Sequence, residues 1–103
     1  MKQFFAVADV KSLPPGKGRT VHVKGREFAV YNVAGEFFAI DDQCPHRGGP
    51  LGSGFLESDH IFCPLHGWEF NVRTGECLSN PAKPVQSYPT RVENGEVQIG
   101  LDE

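Results

Sequence analysis

The residues of this 103-residue chain that could do chemistry together lie in two short runs, Cys44-Pro45-His46-Arg47-Gly48-Gly49 and Cys63-Pro64-Leu65-His66-Gly67-Trp68. The first reads Cys-x-His and the second Cys-x-x-His, with sixteen residues between His46 and Cys63. Two thiols and two imidazoles in paired arms are what a metal site needs, and soft sulfur with borderline nitrogen suits iron-sulfur or zinc. The way the ligands are shared between the arms bears on the choice. A Cys2His2 zinc finger usually keeps both cysteines in one arm and both histidines in the other. Here each arm carries one of each, which suits a dinuclear cluster with two thiolates on one iron and two imidazoles on the other. Zinc in the same four residues, as a structural or interaction module, is the rival reading.

In these residues the chain resembles the Rieske [2Fe-2S] family, specifically its small soluble ferredoxins, and the resemblance extends over nearly the whole chain. It implies one Rieske-type [2Fe-2S] cluster, with Cys44 and Cys63 on the buried iron and His46 and His66 on the outer one. It also implies an all-β Rieske fold: an antiparallel sandwich or barrel-like base, residues 1–41 and 81–103, with a small cluster-binding subdomain inserted at about 42–80. Around the ligands it points to Arg47, Gly48, Gly67, Trp68, Phe70 and Pro81. The glycines, with Gly49, stand where backbone must approach sulfur closely; Gly52 and Gly54 read equally well as ordinary loop glycines. Pro81 and Pro84 are expected in a loop covering the cluster, and Arg47 as a solvated side chain or a partner-steering one. Relatives of the cytochrome bc type carry an extra cysteine in each ligand loop, joined in a disulfide; Gly49 and Leu65 occupy those places here.

Two thiolates, two sulfides and two ferric ions sum to zero charge, whereas four thiolates would leave minus two. Reducing a neutral cluster costs less, so the potential rises to about −150 to +300 mV. High-potential relatives place a serine and a tyrosine hydroxyl where this chain has Trp68 and Phe70, so a potential near the low end of that window is expected.

Composition narrows the field. Ten basic and thirteen acidic residues, for a formal charge of −3, with no basic run, argue against nucleic acid or an anionic membrane as partner. No stretch has the length and apolarity of a signal peptide or a membrane span. Of three cysteines the motif takes two, leaving Cys77 as a small buried hydrophobe and pointing to a reducing cytoplasm.

Short β-rich runs punctuated by turns predict strands at residues 2–8, 19–24, 27–33, 36–41, 60–63, 68–72, 77–78, 85–92 and 97–101, and no helix of any length. Within 27–33, Phe28, Val30 and less cleanly Asn32 alternate as the inward face. Ala34-Gly35 and Asn94-Gly95 read as hairpin turns, and His22 and His60 as strand residues. A one-electron carrier, not a catalyst, is the resulting expectation. By resemblance its donor is a flavin-containing NAD(P)H reductase and its acceptor a terminal oxygenase. The alternative is the small subunit of an NAD(P)H nitrite reductase docking on its large subunit, suggested by Cys63-Pro64-Leu65-His66 with Thr74-Gly75-Glu76-Cys77-Leu78.

Overall fold

Turn chemistry sets the strand order. In the computed structural model, which describes residues 2–45, 48–65 and 67–102, three two-residue turns pair a positive-φ residue with glycine. They are Lys24-Gly25, Ala34-Gly35 and Asn94-Gly95, the last with φ of 54° and 77°. Positive φ at both positions is the turn whose twist matches a right-handed hairpin. Each accordingly joins neighbouring antiparallel strands: β2 (Gly18–Val23) to β3 (Arg26–Val33), β3 to β4 (Glu36–Asp41), and β9 (Thr90–Glu93) to β10 (Glu96–Asp102).

With β1 (Lys2–Asp9), β10 and β9 form one sheet in the order β1-β10-β9. A second sheet runs β2-β3-β4-β8, where β8 is Ser87–Tyr88. The third is small, in the order β5 (Phe55–Glu57), β6 (His60–Phe62) and β7 (Glu69–Asn71). Among the described residues the only helical elements are two 3-10 turns, Val10–Ser12 and Leu51–Ser53.

Two expectations are corrected. Residues 85–92 are not one strand: the chain pairs through β8 with β4, breaks at Pro89, and resumes as β9 beside β10. Proline has no N–H for the ladder, and here it marks where the chain changes sheets. Residues 77–78 make no strand, only a single bridge from Cys77 to Phe70.

The alternation expected in β3 is absent as well, because Phe28 through Val33 are all buried. Both faces are covered. Phe28 and Val30 join Leu13, Val21, Val23, Ala39, Val97, Ile99 and Leu101 in one core. Ala29, Tyr31 and Val33 face the other, with Ile40, Cys44, Leu51, Ile61, Cys63, Phe70, Val72 and Cys77. A fully buried Phe, Ile or Leu side chain contributes about 1.5–3 kcal/mol of transfer free energy, so β3 ties the two cores together.

Both tyrosines of the chain are held in their neutral form. Burial and a hydrogen bond from its hydroxyl to Asp41 Oδ1 at 2.6 Å push Tyr88 up to about 12, with Arg26 opposing. Burial foremost, then the charges of Asp42 and Cys63, raises Tyr31 well above the ordinary value. A raised folded-state pKa leaves this stabilisation intact below about pH 10, where an unfolded tyrosine ionises, and removes it as pH climbs through the folded value. An ultraviolet titration should therefore show no tyrosinate step near pH 10 in the folded protein, only ionisation accompanying alkaline unfolding. A reversible step at pH 10 with circular dichroism unchanged would contradict this.

Candidate metal centre

The two cysteine loops are built alike. In the first, Cys44 N–H donates to the Gly49 carbonyl at 2.9 Å and Gly48 N–H donates back to the Cys44 carbonyl at 2.7 Å. In the second, Cys63 N–H donates to the Trp68 carbonyl at 2.8 Å and Gly67 N–H to the Cys63 carbonyl at 2.9 Å. Both loops close through a glycine in the left-handed region, Gly48 at φ 72° and Gly67 at φ 71°, where a side chain would be strained. A third loop, from Asn71 to Glu76, has the same pair of bonds but no thiol. The turn is thus a general device here, and the cysteines give two of its copies their chemistry.

These two loops face one another. A Cβ added to Gly49 would lie 2.9 Å from Cys63 Sγ and 3.0 Å from Leu65 Cγ. Gly49 is therefore glycine because the second loop's sulfur and leucine occupy the space beside its backbone. Cys44 is 1% exposed and Cys63 3%, both in the core with Tyr31, Leu51 and Phe70. No disulfide involves any of the three cysteines. Two buried thiols on opposed, congruent loops, each loop also carrying one histidine in the sequence, fit a dinuclear iron-sulfur cluster.

His46, Arg47 and His66 lie outside the described residues. Trp68 is half-buried and packs on the core around the cysteines, while Phe70 is completely buried within it. Pro81 is exposed. Pro84 lines a groove of about 640 Å³ with Cys44, Pro45, Gly48, Arg26 and Asp41. Leu65, 56% exposed, presents an apolar surface from the second loop. Gly52 and Gly54 answer to other neighbours: a Cβ would meet Thr20 N at 2.5 Å in one case and the Phe62 carbonyl at 2.3 Å in the other. Both permit close packing of backbone on backbone, away from the sulfurs.

Cys77 is fully buried in the same core, with Asn80 N–H directed at its sulfur at 3.3 Å. His22, on β2, meets Glu27. His60, on β6, has Nδ1 against the Glu69 carboxylate and Nε2 3.5 Å from Asp59, which also receives Arg73 Nε at 3.1 Å.

Two groups behind the loops escape a reading of motifs. Tyr31 donates its hydroxyl to the Leu51 carbonyl at 2.5 Å. Asp42, 3% exposed, accepts at Oδ1 from Thr20 Oγ1 and from Gly52 N–H, each at 2.8 Å. The one signal for Tyr31 was an unbroken apolar run, residues 28–31, too rich for a strand with a wet face.

Residues 3–89 match the Rieske [2Fe-2S] domain family. The chain belongs to this family. Its cofactor is a Rieske-type [2Fe-2S] cluster, and the zinc reading falls away. It is 38% identical over 96 residues to the ferredoxin component of a naphthalene 1,2-dioxygenase/salicylate 5-hydroxylase system from a Ralstonia species, covering 92% of each chain. The ferredoxin in a complex of reduced oxygenase and oxidised ferredoxin of carbazole 1,9a-dioxygenase superposes with a TM-score of 0.85 at 37% identity, over 93% of this chain and 91% of that one. A nitrite reductase small subunit from Mycobacterium tuberculosis, described as putative and NADH-dependent, superposes with a TM-score of 0.92, over 100% of this chain and 98% of that one. At 22% identity that likeness speaks to the fold alone.

Because Phe70 is fully buried in the core of both cysteines, Phe70→Tyr should place a hydroxyl within reach of sulfur and raise the potential. A charge-assisted bond is worth roughly 1.5–3 kcal/mol. If about 1–2 kcal/mol of this appears only on reduction, the shift is roughly 40–90 mV, taking 59 mV as about 1.4 kcal/mol. Voltammetry reads it, and an unchanged potential with the hydroxyl seen bonded to sulfur would refute the missing-donor account.

Proposed function

We propose that this chain is a one-electron carrier that takes electrons from a flavin-containing NAD(P)H reductase and delivers them to the terminal oxygenase of an aromatic-ring dioxygenase system. In this reading Cys44 and Cys63 hold the buried iron, and His46 and His66 the outer iron. The [2Fe-2S] cluster, when bound, supplies a single reversible electron. The observation that carries the reading is the pair of buried cysteines on two opposed loops of one build.

The chain's own residues supply the rest. The core of Tyr31, Leu51, Phe70 and Ile61 keeps water from the sulfurs, all four side chains being fully buried. Pro45 and Pro84 along the groove, with exposed Leu65, offer a partner a small apolar surface beside the ligand loops, suited to brief contact. The carbazole dioxygenase complex, in which a similar ferredoxin meets its oxygenase, supports an oxygenase as acceptor. The division into a base, 1–41 and 81–103, and a cluster-binding unit, 42–80, belongs to the same proposal. A reducing cytoplasm as its compartment rests on the cysteine usage. Among the described residues no helix is long and apolar enough to cross a membrane.

Reconstitution tests the function. The reduced, cluster-loaded protein should show a rhombic EPR signal. Mixed with NADH, a ring-dioxygenase flavoprotein reductase and a terminal oxygenase, it should support aromatic dihydroxylation in proportion to its concentration. A rhombic signal without turnover with any ring-dioxygenase pair, together with electron delivery to a nitrite reductase large subunit, would transfer the assignment to the latter.

A further inference from the structure

Tyr31, on β3, places its hydroxyl on the backbone of the turn between the cysteine loops. It is pinned at its ring and engaged at its tip. A Cβ at Gly18, its partner across the β2–β3 ladder, would lie 2.4 Å from Tyr31 Cδ1, so the ring lies flush on that backbone. At the tip, the hydroxyl donates to the Leu51 carbonyl at 2.5 Å. Leu51 N–H in turn donates to the Asp42 carbonyl at 2.7 Å, and Gly52 N–H to the Asp42 carboxylate.

The segment so held, residues 49–52, touches both cysteines. The Gly49 carbonyl accepts from Cys44 N–H at 2.9 Å, and Cys63 Sγ lies 2.9 Å from where a Gly49 Cβ would stand. We propose that Tyr31 is a positioning residue for the cluster: its hydroxyl fixes residues 49–52 between the two cysteines and thereby raises the reduction potential. This rests on the Rieske reading above.

Two effects give the same sign. The hydroxyl proton compensates the negative end of the Leu51 carbonyl dipole. With only the Gly54 N–H left to it, at 3.0 Å, that dipole would be less compensated in a dry core, interact more strongly with nearby charge and oppose an added electron. Loss of the bond also loosens residues 49–52, leaving them the bonds of Leu51 and Gly52 N–H to Asp42, so that backbone around the sulfurs is held less well for bonding to them, and bonds to a cluster's sulfurs are among the factors that set its potential.

The test is an EPR-monitored redox titration of cluster-loaded Tyr31→Phe. At the wild-type midpoint the ratio of reduced to oxidised protein should fall about tenfold, which is about 59 mV for one electron. Val97→Ala, a truncation in the opposite core where Val97 is fully buried, should lower the melting temperature and leave the potential in place. If Tyr31→Phe keeps its rhombic signal with an unshifted or raised potential, or if Val97→Ala shifts the potential equally, the inference is overturned.

Should Tyr31→Phe not retain its cluster, a shape-conserving variant decides. The chain has two tyrosines, so 3-fluorotyrosine in a Tyr88→Phe background alters the Tyr31 hydroxyl alone. A more acidic hydroxyl donates more strongly, and the potential should rise; no change or a fall overturns the inference. A wild-type protein with no rhombic signal would instead sink the Rieske reading itself.

Discussion

Replacing His66 by cysteine should lower the one-electron potential by on the order of 100–300 mV, provided the variant still assembles a cluster. The argument is one of charge. An imidazole ligand is neutral and a thiolate carries minus one, so the substitution adds a full negative charge at an iron. Clusters with four thiolates lie near about −400 mV and those with two histidines at about −150 to +300 mV; one substitution should cover about half of that gap. By resemblance Trp68 and Phe70 stand where high-potential relatives carry hydroxyl donors, and the Tyr31 hydroxyl is committed to Leu51. The starting value should therefore be low in the window. Protein-film voltammetry measures the shift, and an assembled variant with an equal or higher potential would refute both the charge argument and the proposed role of His66.

How much was legible follows from what kind of information each feature needs. Ligand type and spacing are local, so the metal chemistry could be read from two hexapeptides. Paired positive-φ turns are local too: Ala34-Gly35 and Asn94-Gly95 turn the chain as expected, because few residue pairs adopt that backbone cheaply. The break at Pro89 was written in the sequence but outweighed by the β-formers flanking it. What could not be read depends on a second surface. The burial of both faces of β3 arises because one sheet separates two cores, so alternation gave the wrong account of Phe28 to Val33. Tyr31 and Asp42 act across 20 and 10 residues of sequence on Leu51 and Gly52, and no motif records such a contact. The glycines divide in the same way. Gly48 and Gly67, expected where backbone approaches sulfur, close the cysteine loops through N–H bonds to the Cys44 and Cys63 carbonyls, whereas Gly52 and Gly54 are explained only by Thr20 and Phe62 approaching from elsewhere in the fold.

The opposed loops make a second strong prediction, one about stability: the double variant Gly49→Cys with Leu65→Cys should form a disulfide between the two ligand loops. Across a disulfide, the Cβ of one cysteine lies about 3 Å from the sulfur of the other, given an S–S length of about 2.04 Å. The Cβ position of Gly49 lies 3.0 Å from Leu65 Cγ, the atom a cysteine sulfur would replace, and 3.1 Å from Leu65 Cδ1. The second loop thus already presents a side-chain atom at bonding geometry, and Leu65 is 56% exposed, so its removal opens little of the core. The bridge would close residues 49–65, a loop near the 15-residue length for which about 3 kcal/mol of stabilisation is expected. Part of that is offset by crowding, because the new Cβ would stand 2.9 Å from Cys63 Sγ and the sulfur or the loop must give slightly. Peptide mapping of the oxidised variant should recover a 49–65 link, and its melting temperature should fall on addition of dithiothreitol while that of the wild type does not. A link formed to Cys63 or Cys77 instead, or none at all under oxidising conditions, would mean that the two loops do not face each other through Gly49 and Leu65.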